Sequence, residues 1–180
     1  MAELFQNKFR IPSARLQTWD YGSPGFYFVT ICTRKHSHYF GSIVKAKDDA
    51  YLQASPIGQF AQEAWFKTPE LRADMNIELG EFIVMPNHVH GIIMIGSNEY
   101  NRKMQDWGPN TFGPQRHDLS SILKGYKASV TSYANKLGVE FGWQARFDDH
   151  IIRNQQSFHN ISNYIINNPN NWHKDKFWEL

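Results

Sequence analysis

Cysteine is almost absent from this chain. A single residue, Cys32, occurs among 180, so no disulfide can form within the chain. A small secreted scaffold held together by disulfides is thereby excluded. We therefore expect a reducing location, the cytoplasm.

Long hydrophobic runs and an excess of one charge are also missing. No stretch approaches the roughly 20 apolar residues that a transmembrane helix needs, and residues 1–10 carry no apolar run of the signal-peptide type. We expect no membrane partner. Lys and Arg number 19 against 17 Asp and Glu, which leaves a formal net charge of +2. This balance permits nucleic acid as a partner but does not by itself indicate one.

The length and the hydrophobic content predict one folded domain. Hydrophobic residues make up 41% of the chain, and 180 residues are enough to bury a core. We expect a single domain over residues 1–180, beginning with an N-terminal arm at residues 1–20. Residues 96–118 are polar and rich in Gly, Pro and Asn, which predicts a long loop.

Hydrophobic periodicity in the first half of the chain predicts strands followed by a helix. Residues 25–33 alternate apolar and β-branched side chains, as a half-buried strand does. Residues 38–44 predict a second, shorter strand, and a turn and third strand follow. Ser55 is a suitable N-cap with Pro56 at the first helical position, and this helix should end near residues 68–70.

The second half adds a strand pair around residues 81–95, two helices and a further strand. One helix should begin near Asp118 and be capped by Gly138. The last helix should cover residues 156–168, because Pro169 forbids its continuation. The order of elements predicts an α+β fold, with a largely antiparallel central sheet flanked by helices.

Two histidines interrupt the apolar stretch EFIVMPNHVHGIIMI at residues 81–95. In a strand, His88 and His90 point to the same face with Cα atoms about 6.5–7 Å apart, so both imidazoles can approach one metal ion. No cysteine cluster or HExxH pattern accompanies them, which argues against structural or protease-type zinc. Two ligands leave the coordination sphere incomplete, as a metal that acts on a phosphate requires. The alternative is a chance pair of core histidines.

Five blocks in order carry a resemblance to a known family. FIVMPNHVHGIIMI resembles the signature of the HUH single-tyrosine transposases, in which two histidines flank a bulky hydrophobic residue and bind a divalent ion. GFYFVTICT, LKGYKASVT, WQARFDDHIIRN and YIINNP resemble the other blocks of the family. Their order and spacing fit the REP-associated tyrosine transposase branch over about residues 10–172. The resemblance implies a ferredoxin-like or RRM-like fold.

The resemblance also implies a tyrosine nucleophile on a helix. Of eight tyrosines, Tyr164 falls on the flank of the apolar stripe of the last helix, and Asn168 lies four residues further on the same side. Carried over from the family, Tyr164 is the catalytic residue. His88, His90 and Asn168 are then the metal ligands, with Mg²⁺ or Mn²⁺ as the ion.

The activity implied by the family is metal-dependent cleavage and rejoining of single-stranded DNA. Such an endonuclease or transposase acts at hairpin sequences through a 5′-phosphotyrosine intermediate. Basic side chains that can meet the DNA backbone are Arg10 and Arg15 in the arm and Lys124 and Lys127 on the second long helix. Arg102, Lys103 and Arg116 in the loop are further candidates.

Three other interpretations stay open on the sequence alone. The chain can be a domesticated protein that binds hairpin DNA without cutting it. It can also be a replication or mobilisation nuclease of the HUH type, although those chains are usually longer. An unrelated metalloprotein would explain the two histidines but not the other four blocks. The sequence does not decide between a monomer and a homodimer.

Overall fold

The computed structural model describes residues 19–47, 49–101 and 116–178. Most of the predicted arm and most of the predicted loop, including Arg10 and Arg15, therefore lie outside the described residues. The strands are β1 (Gly25–Cys32), β2 (Gly41–Ala46), β3 (Asp49–Ala54), β4 (Ile77–Met85), β5 (His88–Ile95) and β6 (Asp148–Ile152). The helices are α1 (Pro56–Phe66), α2 (Thr68–Leu71), α3 (Leu119–Lys136) and α4 (Gln155–Ile166).

The strands form two sheets. Four of them make the central sheet in the order β4-β5-β1-β6, and every neighbouring pair is antiparallel. With α1 between β1 and β4, and α3 between β5 and β6, this is the ferredoxin-like arrangement. β2 and β3 pair only with each other as a separate hairpin. The predicted single α+β domain with an antiparallel sheet is confirmed.

The two faces of the central sheet are covered differently. Alternate residues of β5, Val89 and Ile93, enter the main core with Trp65 of α1 and Tyr126 of α3. The intervening residues face the opposite side, where Ile92 packs with α4. His88 and His90 share that second face with Ile92, because side chains alternate along a strand. His90 therefore lies between the sheet and α4, and His88 lies between the sheet and the segment that carries Trp172 and Phe177.

Helix termini follow the predicted capping chemistry. The Ser55 hydroxyl accepts a 3.1 Å hydrogen bond from the Gly58 amide at the start of α1. Asp118 accepts a 2.8 Å hydrogen bond from the Ser121 amide, which begins α3. Gly138 adopts a φ of +70° just beyond α3, a conformation that glycine tolerates best.

Three predicted boundaries were wrong. α1 ends at Phe66, and residues 68–71 form the separate turn α2 instead of a plain terminus. β2 begins at Gly41 instead of residue 38, because the preceding residues lead into the hairpin as an irregular turn. α4 ends at Ile166, so Asn168 follows the helix instead of closing it.

A tight hairpin sets the position of the histidines. β4 and β5 are joined by Pro86 and Asn87 alone, and Met85 pairs with His88 across the turn. A slip of one residue in this register would move both imidazoles to the other face of the sheet. The hairpin therefore determines which face carries the site.

The close packing around Gly91 of β5 can be tested by mutation. A Cβ atom at Gly91 would overlap the Trp65 ring, which stacks on Phe82 at 4.5 Å. We expect Gly91→Ala to lower the free energy of unfolding by about 1–3 kcal/mol through overpacking. The matched control is Gly125→Ala in α3, where nothing lies within 4 Å, and stability should rise by about 0.5–1 kcal/mol. Urea unfolding measures both, and equal effects of the two variants would contradict the packing argument.

Candidate metal and tyrosine site

The two histidines of β5 lie side by side in the interior. His88 is 0% and His90 1% exposed, and their ring centroids are 4.4 Å apart. On the neighbouring strand β1, Cys32 pairs with His88 and Thr30 with His90. The sheet therefore holds both rings on one face, as the alternation rule predicts.

The hydrogen bonds of His88 determine which of its ring nitrogens is free. Asn87 donates its Nδ2 to the Phe177 carbonyl at 2.9 Å, so its Oδ1 is the atom that lies 2.8 Å from His88 Nδ1. Because an amide oxygen only accepts, Nδ1 carries the proton and Nε2 carries the lone pair. Nε2 is buried and has no hydrogen-bond partner among the described residues.

His90 is held in a similar way. Its Nδ1 lies 2.9 Å from the Thr30 hydroxyl on β1, and its Nε2 lies 3.2 Å from the Tyr164 hydroxyl on α4. For Nε2 to offer its lone pair to a metal ion, Nδ1 must carry the proton and donate it to the Thr30 hydroxyl. A second polar group that fixes ring orientation in this way is typical of metal-binding histidines.

Burial favours the neutral form of both imidazoles. Burial, followed by the repulsion that a protonated His90 would exert, lowers the pKa of His88 well below its usual value. Burial, with a smaller effect from Lys176, lowers the pKa of His90 to about 3. Neutral imidazole is the form that binds metal ions, so neither ring has to lose a proton at neutral pH.

Tyr164 lies where α4 crosses the sheet. Its side chain is 45% exposed, and its ring packs edge-on against Phe28 of β1 with centroids 6.2 Å apart. Burial and then the charge of Asp175 raise the pKa of the phenol, whereas the Asn168 amide lowers it. Tyr164 is therefore accessible to solvent, whereas the neighbouring His88 and His90 are buried.

Asp175 is the residue that sequence reasoning missed. One ligand atom from each of His88, His90 and Asp175 lies within 4.8 Å of the others. The Asp175 side chain is only 3% exposed, and its Oδ2 lies 3.9 Å from His88 Nε2. It reaches the site because Trp172 and Phe177 pack against Cys32 and Met85. These contacts hold the C-terminal segment against the sheet.

Asn168, the predicted third ligand, lies beside Asp175. Its Nδ2 donates to Asp175 Oδ2 at 3.3 Å, and its own side chain is buried. Its Oδ1 is buried without a hydrogen-bond partner among the described residues. The structure brings Asn168 into the group, and its role as a ligand stays a prediction.

The group has the chemistry of a divalent-cation site. Two neutral imidazoles and one carboxylate converge, and the lone pair of His88 Nε2 and the oxygen of Asn168 are left without partners in the described residues. A buried carboxylate and buried unpaired acceptors are costly unless a cation or donor meets them. The donor set of two imidazoles and a carboxylate fits a divalent metal ion, and Mg²⁺ or Mn²⁺ as that ion stays a prediction.

The predicted DNA-contacting lysines lie on α3. Lys124 is exposed, and Lys127 donates its Nζ to the Gln144 carbonyl at 2.7 Å. Burial lowers the pKa of Lys127. Both line a cavity of about 490 Å³ that also includes Trp143. Whether they bind DNA stays a prediction, and Arg10 and Arg15 lie outside the described residues.

The hydroxyl of Thr30 provides a test of the site. We expect Thr30→Val to weaken Mn²⁺ binding about tenfold or more, because His90 then loses the acceptor that orients it. Isothermal titration calorimetry measures the change. Thr131→Val is the matched control, since that hydroxyl donates to the Lys127 carbonyl within α3, away from the histidines. Equal Mn²⁺ affinity in the two variants would show that Thr30 does not orient a ligand.

Comparisons with known proteins identify the class of fold. A solved structure of the REP-associated tyrosine transposase bound to a REP hairpin superposes with a TM-score of 0.58, at 21% identity, over 92% of this chain and 77% of that one. The chain therefore has the fold of a REP-associated tyrosine transposase, as the sequence blocks predicted. An uncharacterized protein of Haemophilus influenzae is 35% identical over 173 residues, 92% of each chain. The chain belongs to the same family as that protein.

No family model matches the chain. In the part of the chain that the structure describes, none of the helices combines the length and apolar character needed to cross a bilayer.

Proposed function

We propose that this protein is a metal-dependent tyrosine transposase that cuts and rejoins single-stranded DNA at hairpins. The observation that carries the proposal is the contact between Tyr164 and His90, at 3.2 Å, inside a group that can hold a divalent ion. Cleavage through a phosphotyrosine needs a nucleophile that DNA can reach beside residues that can hold a metal ion. The half-exposed Tyr164 phenol, next to the buried ligand group, provides this arrangement. The fold shared with a REP-associated tyrosine transposase supports the same class.

The proposed chemistry begins with the phenol. The Tyr164 oxygen loses its proton and forms a bond to the phosphorus of the scissile phosphodiester. The bond from phosphorus to the 3′ oxygen breaks, and that oxygen takes a proton to become a free 3′-hydroxyl. The products are a 5′-phosphotyrosine and a DNA strand ending in 3′-OH. Attack by a 3′-hydroxyl on the adduct reverses the step and joins strands without ATP.

The residues around Tyr164 have separate tasks. Phe28 and the β1 strand hold the phenol ring in place, and Thr30 and Asn87 orient the two imidazoles. His88, His90 and Asp175, with Asn168 as the predicted further ligand, would hold the Mg²⁺ or Mn²⁺ ion. The bound ion supplies Lewis-acid neutralisation of charge on the phosphate.

Single-stranded hairpin DNA is the proposed partner. A nucleophile that approaches a phosphate in line requires a strand that bends into the site, which duplex DNA resists. The similar solved transposase is bound to a REP hairpin. Lys124 and Lys127 on α3 are the described lysines proposed to contact the DNA backbone. Binding through such contacts should weaken steeply as salt increases.

A covalent-adduct assay tests the proposal. The protein is incubated with a labelled library of single-stranded hairpin oligonucleotides, in Mn²⁺ or in EDTA, and run on denaturing gels. We expect a protein–DNA band that forms in Mn²⁺ and is absent in EDTA. Tight hairpin binding without an adduct in any divalent metal would instead identify a domesticated DNA-binding protein.

A further inference from the structure

A cavity of about 420 Å³ opens beside the start of α4, on the same face of the sheet as the histidines. Its apolar wall consists of Phe26, Ile152 and Phe158, and Phe26 is 40% exposed. The Phe26 and Phe158 rings meet edge to face with centroids 5.6 Å apart. Exposed aromatic surface in a concave site of roughly 300–1,000 Å³ is typical of ligand pockets.

The cavity adjoins the tyrosine site through β1. Phe26 contacts Phe158 of α4, and two residues further along β1 Phe28 contacts Tyr164. Phe26 and Phe28 face the same side of the sheet, with Cα atoms about 6.5–7 Å apart. Phe158 and Tyr164 are separated by about 9 Å along the helix axis. Stacked nucleotides are spaced about 3.4 Å apart along a strand, so no more than about three of them span this distance.

The rim of the cavity is polar and rich in donors. Arg153, Asn154, Gln155 and His159 line it. The Asn154 side-chain oxygen already accepts the Ser157 amide at 2.8 Å as the N-cap of α4, which leaves the amide Nδ2 to donate. The Arg153 guanidinium offers only donors. An aromatic wall with a donor-rich rim matches a nucleobase that carries carbonyl acceptors.

We infer that this cavity binds one unpaired, carbonyl-bearing base of the single-stranded DNA, within about three nucleotides of the scissile phosphate. The base stacks on the exposed Phe26 ring, which Phe158 supports edge to face, and its acceptors meet Arg153 and Asn154. The inference rests on the proposed function for its substrate class. Through this cavity, protein side chains would contribute to the sequence preference next to the cleavage site.

Binding of short oligonucleotides tests the inference. Fluorescence anisotropy is measured with labelled oligothymidylate and oligoadenylate in EDTA, so that cutting does not contribute. We expect the wild type to bind oligothymidylate more tightly, because thymine offers carbonyl acceptors and adenine has none. Phe26→Ala should weaken binding of oligothymidylate roughly 5- to 150-fold, the effect of losing one base–aromatic stack. Phe26→Trp keeps a stacking ring and should restore binding.

The matched control is Phe66→Ala on α1, an exposed phenylalanine that packs against Phe82 on the other face of the sheet. It should bind as the wild type does. Equal affinity of Phe26→Ala and Phe66→Ala, or no binding by the wild type, would overturn the inference. If a covalent adduct forms while Phe26→Ala binds normally, the base site is wrong and the proposed function stands. If Phe26→Ala weakens binding, Phe66→Ala does not, and no adduct forms in any metal, the base site stands and the proposed cleavage activity is wrong.

Discussion

Tyr164→Phe is expected to abolish the covalent protein–DNA adduct while leaving hairpin binding and Mn²⁺ binding intact. The variant removes one oxygen atom, the proposed nucleophile, and keeps the ring that packs against Phe28. Loss of an enzyme nucleophile lowers the rate by several orders of magnitude. Adduct formation on denaturing gels and hairpin binding by anisotropy, measured on the same preparation, separate chemistry from folding.

Tyr133→Phe is the matched control for this experiment. Tyr133 stacks on Phe60 at 4.1 Å in the α1–α3 layer, on the other side of the sheet. Tyr126, the other tyrosine of α3, is buried and donates its hydroxyl to the Ala61 carbonyl, so it has no access to DNA. An adduct of undiminished yield in Tyr164→Phe would contradict the assignment of the nucleophile.

Asp175→Asn is expected to weaken Mn²⁺ binding by at least about tenfold, and adduct formation at limiting Mn²⁺ should fall with it. The substitution keeps the shape of the side chain but removes the only carboxylate in the His88, His90 and Asp175 cluster. Calorimetric titration with Mn²⁺ measures the affinity. Adding excess Mn²⁺ should recover part of the activity, which a folding defect would not allow.

Asp148→Asn on β6 is the control for Asp175→Asn. It removes the same charge from an exposed carboxylate that lies outside the ligand cluster. We expect nearly unchanged Mn²⁺ affinity in that variant. If Asp175→Asn also binds Mn²⁺ as the wild type does while Asn168→Ala does not, the oxygen ligand is Asn168, as the sequence predicted.

The position of the histidines could be predicted because it depends on local rules. Strand alternation places residues 88 and 90 on one face, and the short turn at Pro86 and Asn87 fixes the register that selects the face. The flank position of Tyr164 on its helix followed from helical periodicity in the same way. Local periodicity therefore predicted the face of the strand and the flank of the helix on which these side chains lie. That this helix meets this strand at the site was implied only by the resemblance to the family.

Asp175 could not be predicted because its place depends on tertiary packing. It follows α4 in an irregular segment without periodicity, and that segment lies against the sheet because Trp172 and Phe177 pack there. The same holds for the separation of β2 and β3 from the central sheet, since a strand pattern does not reveal its partner. The cavity at Phe26 also depends on which helix covers which strand.

The claim that Tyr164 is the nucleophile is tested most directly by locating the covalent bond between protein and DNA. The adduct is digested with trypsin and nuclease, and the modified peptide is sequenced by mass spectrometry. Cleavage after Arg153 and Lys174 releases residues 154–174, in which Tyr164 is the only tyrosine. We predict that this peptide carries one nucleotide joined through its 5′-phosphate to Tyr164. A nucleotide on any other residue, or a 3′-phosphate linkage, would contradict the account.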